Sequence, residues 1–269
     1  MMSYTMARGD WGKKPEIKKL CQFTRELGLE GIDFVTTYGV APKEVRKITD
    51  DYGLKTVCYT FFADINFPDE KDRQPGLDKI KEGIEAALIL GADKIMLPIK
   101  GKDGLSREGS RRNVVTGLKE AVEVGKAAGV IVTVEHFPDF RSPFIVSTDV
   151  NKALKEIPDL KITFDSGNVL TGGEEPVRAF LNSKDSIVHT HFKDWTLSTD
   201  KKGLKGLDGR YYSPALIGEG IVDHKSVLRA MKRAGYGGYI NLEYEGNKYS
   251  PTEAMVKGLK TLQDIMSEI

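Results

Sequence analysis

The run VIVTVE, residues 130–135, shows in small the pattern that the rest of the chain repeats. Five apolar or β-branched residues come in a row, without polar alternation, and then an acid. A strand of that kind is buried on both faces, as in parallel sheets. The same sentence recurs downstream. KITFD (161–165) ends on Asp165, SIVHTH (186–191) on His191, and GYINLE (238–243) on Glu243. Upstream, SYTMA (3–7), GIDFV (31–35), KTVCYT (55–60) and DKIMLPI (93–99) complete a set of eight strand candidates.

Helical patterns fall between them. PEIKKLCQFTRELG (15–28) opens near Pro and closes on Gly. GLDKIKEGIEAALILG (76–91) and EGSRRNVVTGLKEAVEVGKAAG (108–129) repeat apolar residues at three and four. SVLRAMKRAGYGG (226–238) ends on glycines, and SPTEAMVKGLKTLQDIMSEI (250–269) follows the last strand. Strand-helix alternation means a doubly wound sheet or a closed barrel. A doubly wound sheet usually carries a Gly-rich phosphate turn after its first strand, and MARGDWGKK (6–14) is not one. Eight units in 269 residues match a (β/α)8 TIM barrel, expected as one domain over 1–269. The longest irregular stretch, 195–222, reads as a functional loop.

Net charge is +1, with Lys and Arg scattered among Asp and Glu, so no nucleic-acid partner is expected. No apolar run approaches membrane-spanning length, and no signal-peptide core is visible. The expected location is the cytoplasm, although a trimmed leader would leave the same sequence. Cys21 and Cys58 read as two buried thiols.

In a parallel barrel all strand C-termini reach one face, which carries the active site. Glu135, Asp165, His191 and Glu243 should therefore converge. Three carboxylates in one small volume repel unless a cation lies between them. Three oxygens and an imidazole suit one divalent ion, with Mn²⁺ first and Mg²⁺, Co²⁺ or Zn²⁺ as alternatives. Each residue alone has a plainer reading; an Asp after a strand is often an Asx turn.

The segments VTVEH (132–136), ITFDSGN (162–168), IVHTHFKDW (187–195) and GEG…GYGGYINLEYEG (218–246) resemble the sugar phosphate isomerase/epimerase family of xylose isomerase-like TIM barrels. That family includes ketose 3-epimerases, inosose dehydratases and hydroxypyruvate isomerases, and is related to endonuclease IV. The resemblance is best from about residue 128 onward. It implies a single ion, commonly Mn²⁺, at Glu135, Asp165, His191 and Glu243. It also implies that Glu135 and Glu243 move protons at the reacting carbon of a small carbohydrate. Lewis-acid polarisation of a sugar carbonyl would stabilise an enediolate. Return of the proton gives an epimer or an isomer; loss of a β-hydroxyl instead gives a dehydratase or lyase. Two positions depart from the family pattern. Asn168 stands where many members carry His, and HFKDWT (191–196) replaces a Glu-x-Asn-Arg run.

Further candidates follow from position. Asn168, Lys193 and His136 are expected to contact substrate, with Lys193 alternatively neutralising a ligand carboxylate. His189 lies two residues below His191 and should support a ligand carboxylate. Lys100 lies at the mouth, Tyr59 should line the pocket or pack beneath it, Glu219 should close a loop or charge a helix N-terminus, and His224 should lie at the surface. Arg210, Tyr211 and Tyr212 should cover the substrate or face a partner, which could be a second copy of the chain.

Overall fold

The computed structural model describes residues 1–9, 11–199 and 201–269. Its strands are β1 (Gly31–Val35), β2 (Lys55–Thr60), β3 (Lys94–Leu97), β4 (Ile131–Glu135), β5 (Lys161–Asp165), β6 (Ile187–Phe192), β7 (Asp194–Leu197), β8 (Leu204–Lys205), β9 (Tyr211–Ala215) and β10 (Ile240–Leu242). The helices are α1 (Ser3–Met6), α2 (Ile17–Glu26), α3 (Pro42–Asp51), α4 (Glu70–Leu90), α5 (Arg107–Ala128), α6 (Ser147–Glu156), α7 (Asn168–Thr171), α8 (Pro176–Ser183), α9 (His224–Arg233) and α10 (Pro251–Ser267). Strands β1 to β6 and then β10 pair in parallel, in that order, as an α/β TIM barrel.

The apolar strand runs bury both faces. Val132, Val134, Ile162 and Phe164 are inaccessible or nearly so, and Phe164 meets Phe180 of α8 edge-on at 5.7 Å. Polar residues inside the barrel pair with each other: Thr133 Oγ1 lies 2.8 Å from Thr163 Oγ1. Helices α4 and α5 stop on Gly91 (φ 73°) and Gly129 (φ 72°). That left-handed C-terminal turn suits a residue without Cβ. Cys21 and Cys58 are free and buried. Among the described residues no helix is long and apolar enough to cross a membrane.

The barrel closes differently from the expected eighth strand. SYTMA is not a strand: Ser3–Met6 forms a helical turn. Closure is made by the two residues before it. Met2 N donates to Leu242 O at 3.0 Å, and Asp33 N donates to Met1 O at 2.9 Å. Beyond that bridge, hydroxyls replace strand backbone. Ser3 Oγ accepts from Val35 N, and Thr5 Oγ1 accepts from Tyr244 N, both at 2.9 Å. The N–H groups that a longer strand would satisfy are met by side chains instead.

The described part of 195–222 is also more ordered than an irregular loop. Strands β7, β9 and β8 form a separate antiparallel sheet. Tyr212 is wholly buried there, and its hydroxyl donates to Asp208 at 2.6 Å. Arg210 Nε bonds the same carboxylate at 2.6 Å. Arg210 and Tyr212 are therefore held to each other by Asp208, and neither they nor Tyr211 line the barrel-mouth pocket.

Candidate metal centre and active site

Glu135 ends β4, Asp165 ends β5, His191 is the penultimate residue of β6, and Glu243 follows β10. Register places Asp165 beside His191, and Glu243 N donates to Phe192 O. The four side chains converge, one donor atom from each lying within 4.8 Å of the others. All are buried, yet Glu135 and Glu243 also line a cavity of about 240 Å³ at the barrel mouth.

His191 is oriented from both sides. Its Nε2 lies 3.1 Å from Asp33 Oδ2, and its Nδ1 lies 2.7 Å from Glu135 Oε1. A carboxylate only accepts, so Nε2 carries a proton toward Asp33. Nδ1 then faces Glu135, and with Glu243 Oε2 3.8 Å away, across a place for a proton or a cation. Asp165 divides its two oxygens between two roles. Oδ1 accepts from Gly167 N and Asn168 N, both at 2.8 Å, as an Asx turn. Oδ2 points into the cluster and, like Glu243 Oε2, finds no hydrogen-bond donor in bonding geometry. Buried carboxylate oxygens without donors, beside an imidazole nitrogen held toward them, fit a divalent ion.

The cation that does meet these acids is Lys193. Its Nζ lies 3.2 Å from Glu243 Oε2, 3.4 Å from Asp165 Oδ2 and 3.9 Å from Glu245 Oε1. Gly167 lets it pass, since a Cβ there would meet Lys193 Cγ at 2.7 Å. Burial opposes the Lys193 charge, but Asp165 and Glu243 more than offset this and hold its pKa well above the usual value. Burial pushes Glu243 up to about 8 and Asp165 up to about 6, with Lys193 opposing both. Burial acts against the Glu135 charge too, but the His191 hydrogen bond leaves that carboxyl below its usual range. Burial lowers His191, and its bonds to Asp33 and Glu135 reverse the sign, raising it well above an ordinary imidazole.

Asp33 is the residue that strand reading passed over. It is buried in β1, and its Oδ2 accepts from Asn241 Nδ2 at 2.6 Å while lying 2.5 Å from His189 Nε2. His189 therefore supports the site through Asp33 and His191, not by touching one of the three converging carboxylates. The available signal was an acid in the middle of an apolar strand, which seldom stays buried without partners.

Asn168 is fully buried, lines the mouth pocket, and leaves both side-chain amide atoms without partners. Lys193, Glu245 and Tyr4 line it as well. His136 does not. Next to Glu135 on the strand path it turns outward, its ring edge-on to Phe164 at 5.7 Å. Burial lowers its pKa to about 4. Tyr59 packs on Phe61 at 5.4 Å in the core. His224 is not at the surface: it stacks on Phe192 at 5.5 Å, with Nε2 3.3 Å from Asp194 Oδ2. Asp194 accepts from Gly218 N, Gly220 N and Val222 N at 3.0–3.1 Å, anchoring the loop after β9. Glu219 ties that loop to Lys248 at 2.8 Å and to the Tyr249 hydroxyl at 2.6 Å.

Residues 21–265 match the family model described as xylose isomerase-like TIM barrel. The chain belongs to that family. An inosose dehydratase of Lacticaseibacillus casei is 23% identical to this xylose isomerase-like chain, covering 94% of it and 93% of the relative. Among solved structures, the IOLI protein with a bound zinc atom superposes with a TM-score of 0.80 at 16% identity, covering 100% and 97% of the two chains. The 3-keto-D-glucoside 4-epimerase of E. coli superposes at 0.75 with 20% identity, covering 92% and 94%.

Proposed function

We propose that this xylose isomerase-like barrel is a divalent-metal-dependent isomerase or epimerase of a sugar or sugar derivative. One observation carries the reading: Glu135, Asp165, His191 and Glu243 meet at the strand ends, beside a pocket lined by Asn168 and Lys193. Glu135, Asp165, His191 and Glu243 would hold the ion, Mn²⁺ in the first instance. Bound there, it would supply Lewis acidity toward vicinal sugar oxygens.

The protein's own groups divide the remaining work. Glu135 and Glu243 reach the pocket from strands on either side of β6, so a sugar carbon between them has an acid on each face. One takes the proton next to the carbonyl and the other returns one. Asn168 offers a free amide N–H and a free C=O to sugar hydroxyls. Lys193 keeps a positive charge beside the acids and donates to a substrate oxygen.

A dehydratase on the same residues is the second reading. It is favoured by the inosose dehydratase relationship along 94% of the chain. Lys193 would then stand where a departing β-hydroxyl needs a proton. Incubating Mn²⁺-loaded protein with ketoses, inososes and 3-keto-glycosides in D₂O separates the two. Deuterium in recovered sugar supports proton exchange with isomerisation. Loss of water supports the dehydratase, and no turnover with any of them contradicts both.

A further inference from the structure

A second cavity, of about 310 Å³, opens beside the barrel-mouth pocket and shares Phe62, Pro98 and Lys100 with it. Either alone lies near the lower end of the roughly 300–1,000 Å³ typical of small-molecule sites. Lying side by side across the shared Phe62, Pro98 and Lys100, each has room for one ring. The wall of the second cavity includes the buried apolar side chains Ile65, Ile99 and Val114. None of the four converging residues lines it.

Two residues in the wall of this cavity, Lys100 and Asn66, carry donors without a matching acceptor. Lys100 is exposed, with Nζ 4.4 Å from the centroid of the Phe62 ring, and among the described residues no carboxylate pairs with it. Asp64, the acid in the wall, is engaged elsewhere: it pairs with Lys102 Nζ and accepts from Asn66 N, both at 3.0 Å. Asn66 is 95% buried, being only 5% exposed. Its Oδ1 accepts from Asn113 Nδ2 at 3.3 Å, and its Nδ2 is without a partner. A buried donor without an acceptor is costly and uncommon unless a ligand or water meets it.

We propose that the second cavity takes a ring-bearing substituent of the substrate, an aromatic or alicyclic group carrying a carboxylate. This rests on the reading of the mouth pocket as the sugar site. The apolar wall and the Phe62 ring accommodate the ring. The Lys100 ammonium and the Asn66 N–H receive the carboxylate by charge-assisted hydrogen bonds. A bare hexose would fill the mouth pocket and leave both donors unmatched.

The test is calorimetric binding to the Mn²⁺-loaded full chain. The probes are 4-carboxyphenyl β-D-glucopyranoside, phenyl β-D-glucopyranoside and benzoate. The acidic glucoside should bind about tenfold tighter than the neutral one. Lys100→Met, which keeps the stem, and Asn66→Leu should erase that gain and weaken benzoate, while Mn²⁺ affinity stays unchanged. Equal affinity for the two glucosides, or benzoate binding indifferent to Lys100→Met, overturns the proposal. Neither result touches the metal-site reading, whose failure would show as lost Mn²⁺ binding in the wild-type chain.

Discussion

Asp33→Asn isolates the orientation of His191 from the four converging residues themselves. The carboxylate Oδ2 lies within hydrogen-bond reach of His189 Nε2 (2.5 Å), Asn241 Nδ2 (2.6 Å) and His191 Nε2 (3.1 Å). As an acceptor-only group it holds the His191 proton on Nε2 and leaves Nδ1 for the cluster. The amide is nearly isosteric but neutral, and half of it is a donor that would oppose these N–H groups. His191 is then free to take the other tautomer, which blocks Nδ1. Removing such a partner typically costs 10- to 100-fold in metal affinity, equivalent to ~1.4–2.7 kcal/mol. Replacing charge-assisted bonds by neutral ones should also cost the fold about 1.5–3 kcal/mol. Titration calorimetry with Mn²⁺ reads the first effect and thermal denaturation the second. A variant that is less stable yet binds Mn²⁺ within twofold of wild type would show that Asp33 only packs the core and does not orient His191.

Other outcomes follow from the same geometry. Glu135→Gln and Glu243→Gln should each lower kcat by roughly 10²–10⁴ in the substrate assay, the usual share of a positioned acid or base; retained turnover in either would remove it from the proton path. Lys193→Met should lower the melting temperature of metal-free protein, because Asp165 and Glu243 lose their only close ammonium among the described residues, and Mn²⁺ should restore most of the loss; no rescue by Mn²⁺ would count against a shared site. In metal-free protein Glu243 (about 8) and Asp165 (about 6), both raised by burial, keep protons that the unfolded chain has already lost. The folded state then binds more protons, so stability falls as pH rises. His191 is also raised and acts in the same direction. His136 and His189 are lowered and act oppositely, but only below the unfolded histidine value near 6.5. The Met1 ammonium, lowered by burial to about 6, also acts oppositely up to about pH 8, one group against the two raised ones, Glu243 and His191. Between pH 6.5 and 8.5 the metal-free melting temperature should therefore drop, and drop less with Mn²⁺; a flat metal-free profile would contradict the burial argument. Asp194→Ala should cost about 3 kcal/mol or more, since Gly218, Gly220 and Val222 N–H groups lose a charged acceptor; a loss under 1 kcal/mol in urea denaturation would show that the loop does not depend on it.

The barrel and the converging set were legible because β4, β5, β6 and β10 write the same message: an apolar run, then a ligand-capable side chain at the strand end. Parallel topology turns that repeated ending into a place. Three things were not legible, each for a local reason. SYTMA alternates like a strand, yet Ser3 and Thr5 spend their hydroxyls capping neighbouring strand backbone, and Met1 and Met2 make the closure. The β7–β9–β8 sheet is built from strands of two to five residues, one holding Pro214, too short and polar to show a period. Asp33 finds its partners 156 to 208 residues away, so nothing near it in sequence announces them. The histidines follow the same logic. His136 and His224 look alike as neighbours of functional segments, but Phe164 takes one and Phe192 with Asp194 takes the other.

Glu135, Asp165, His191 and Glu243 are proposed to hold one divalent ion, and electron paramagnetic resonance titration of Mn²⁺ into the chelator-treated full chain counts the ions bound. One tight site per chain is predicted, abolished in His191→Ala and retained in Lys100→Met. No Mn²⁺ binding by the wild-type chain, or a site that survives His191→Ala unchanged, would contradict it.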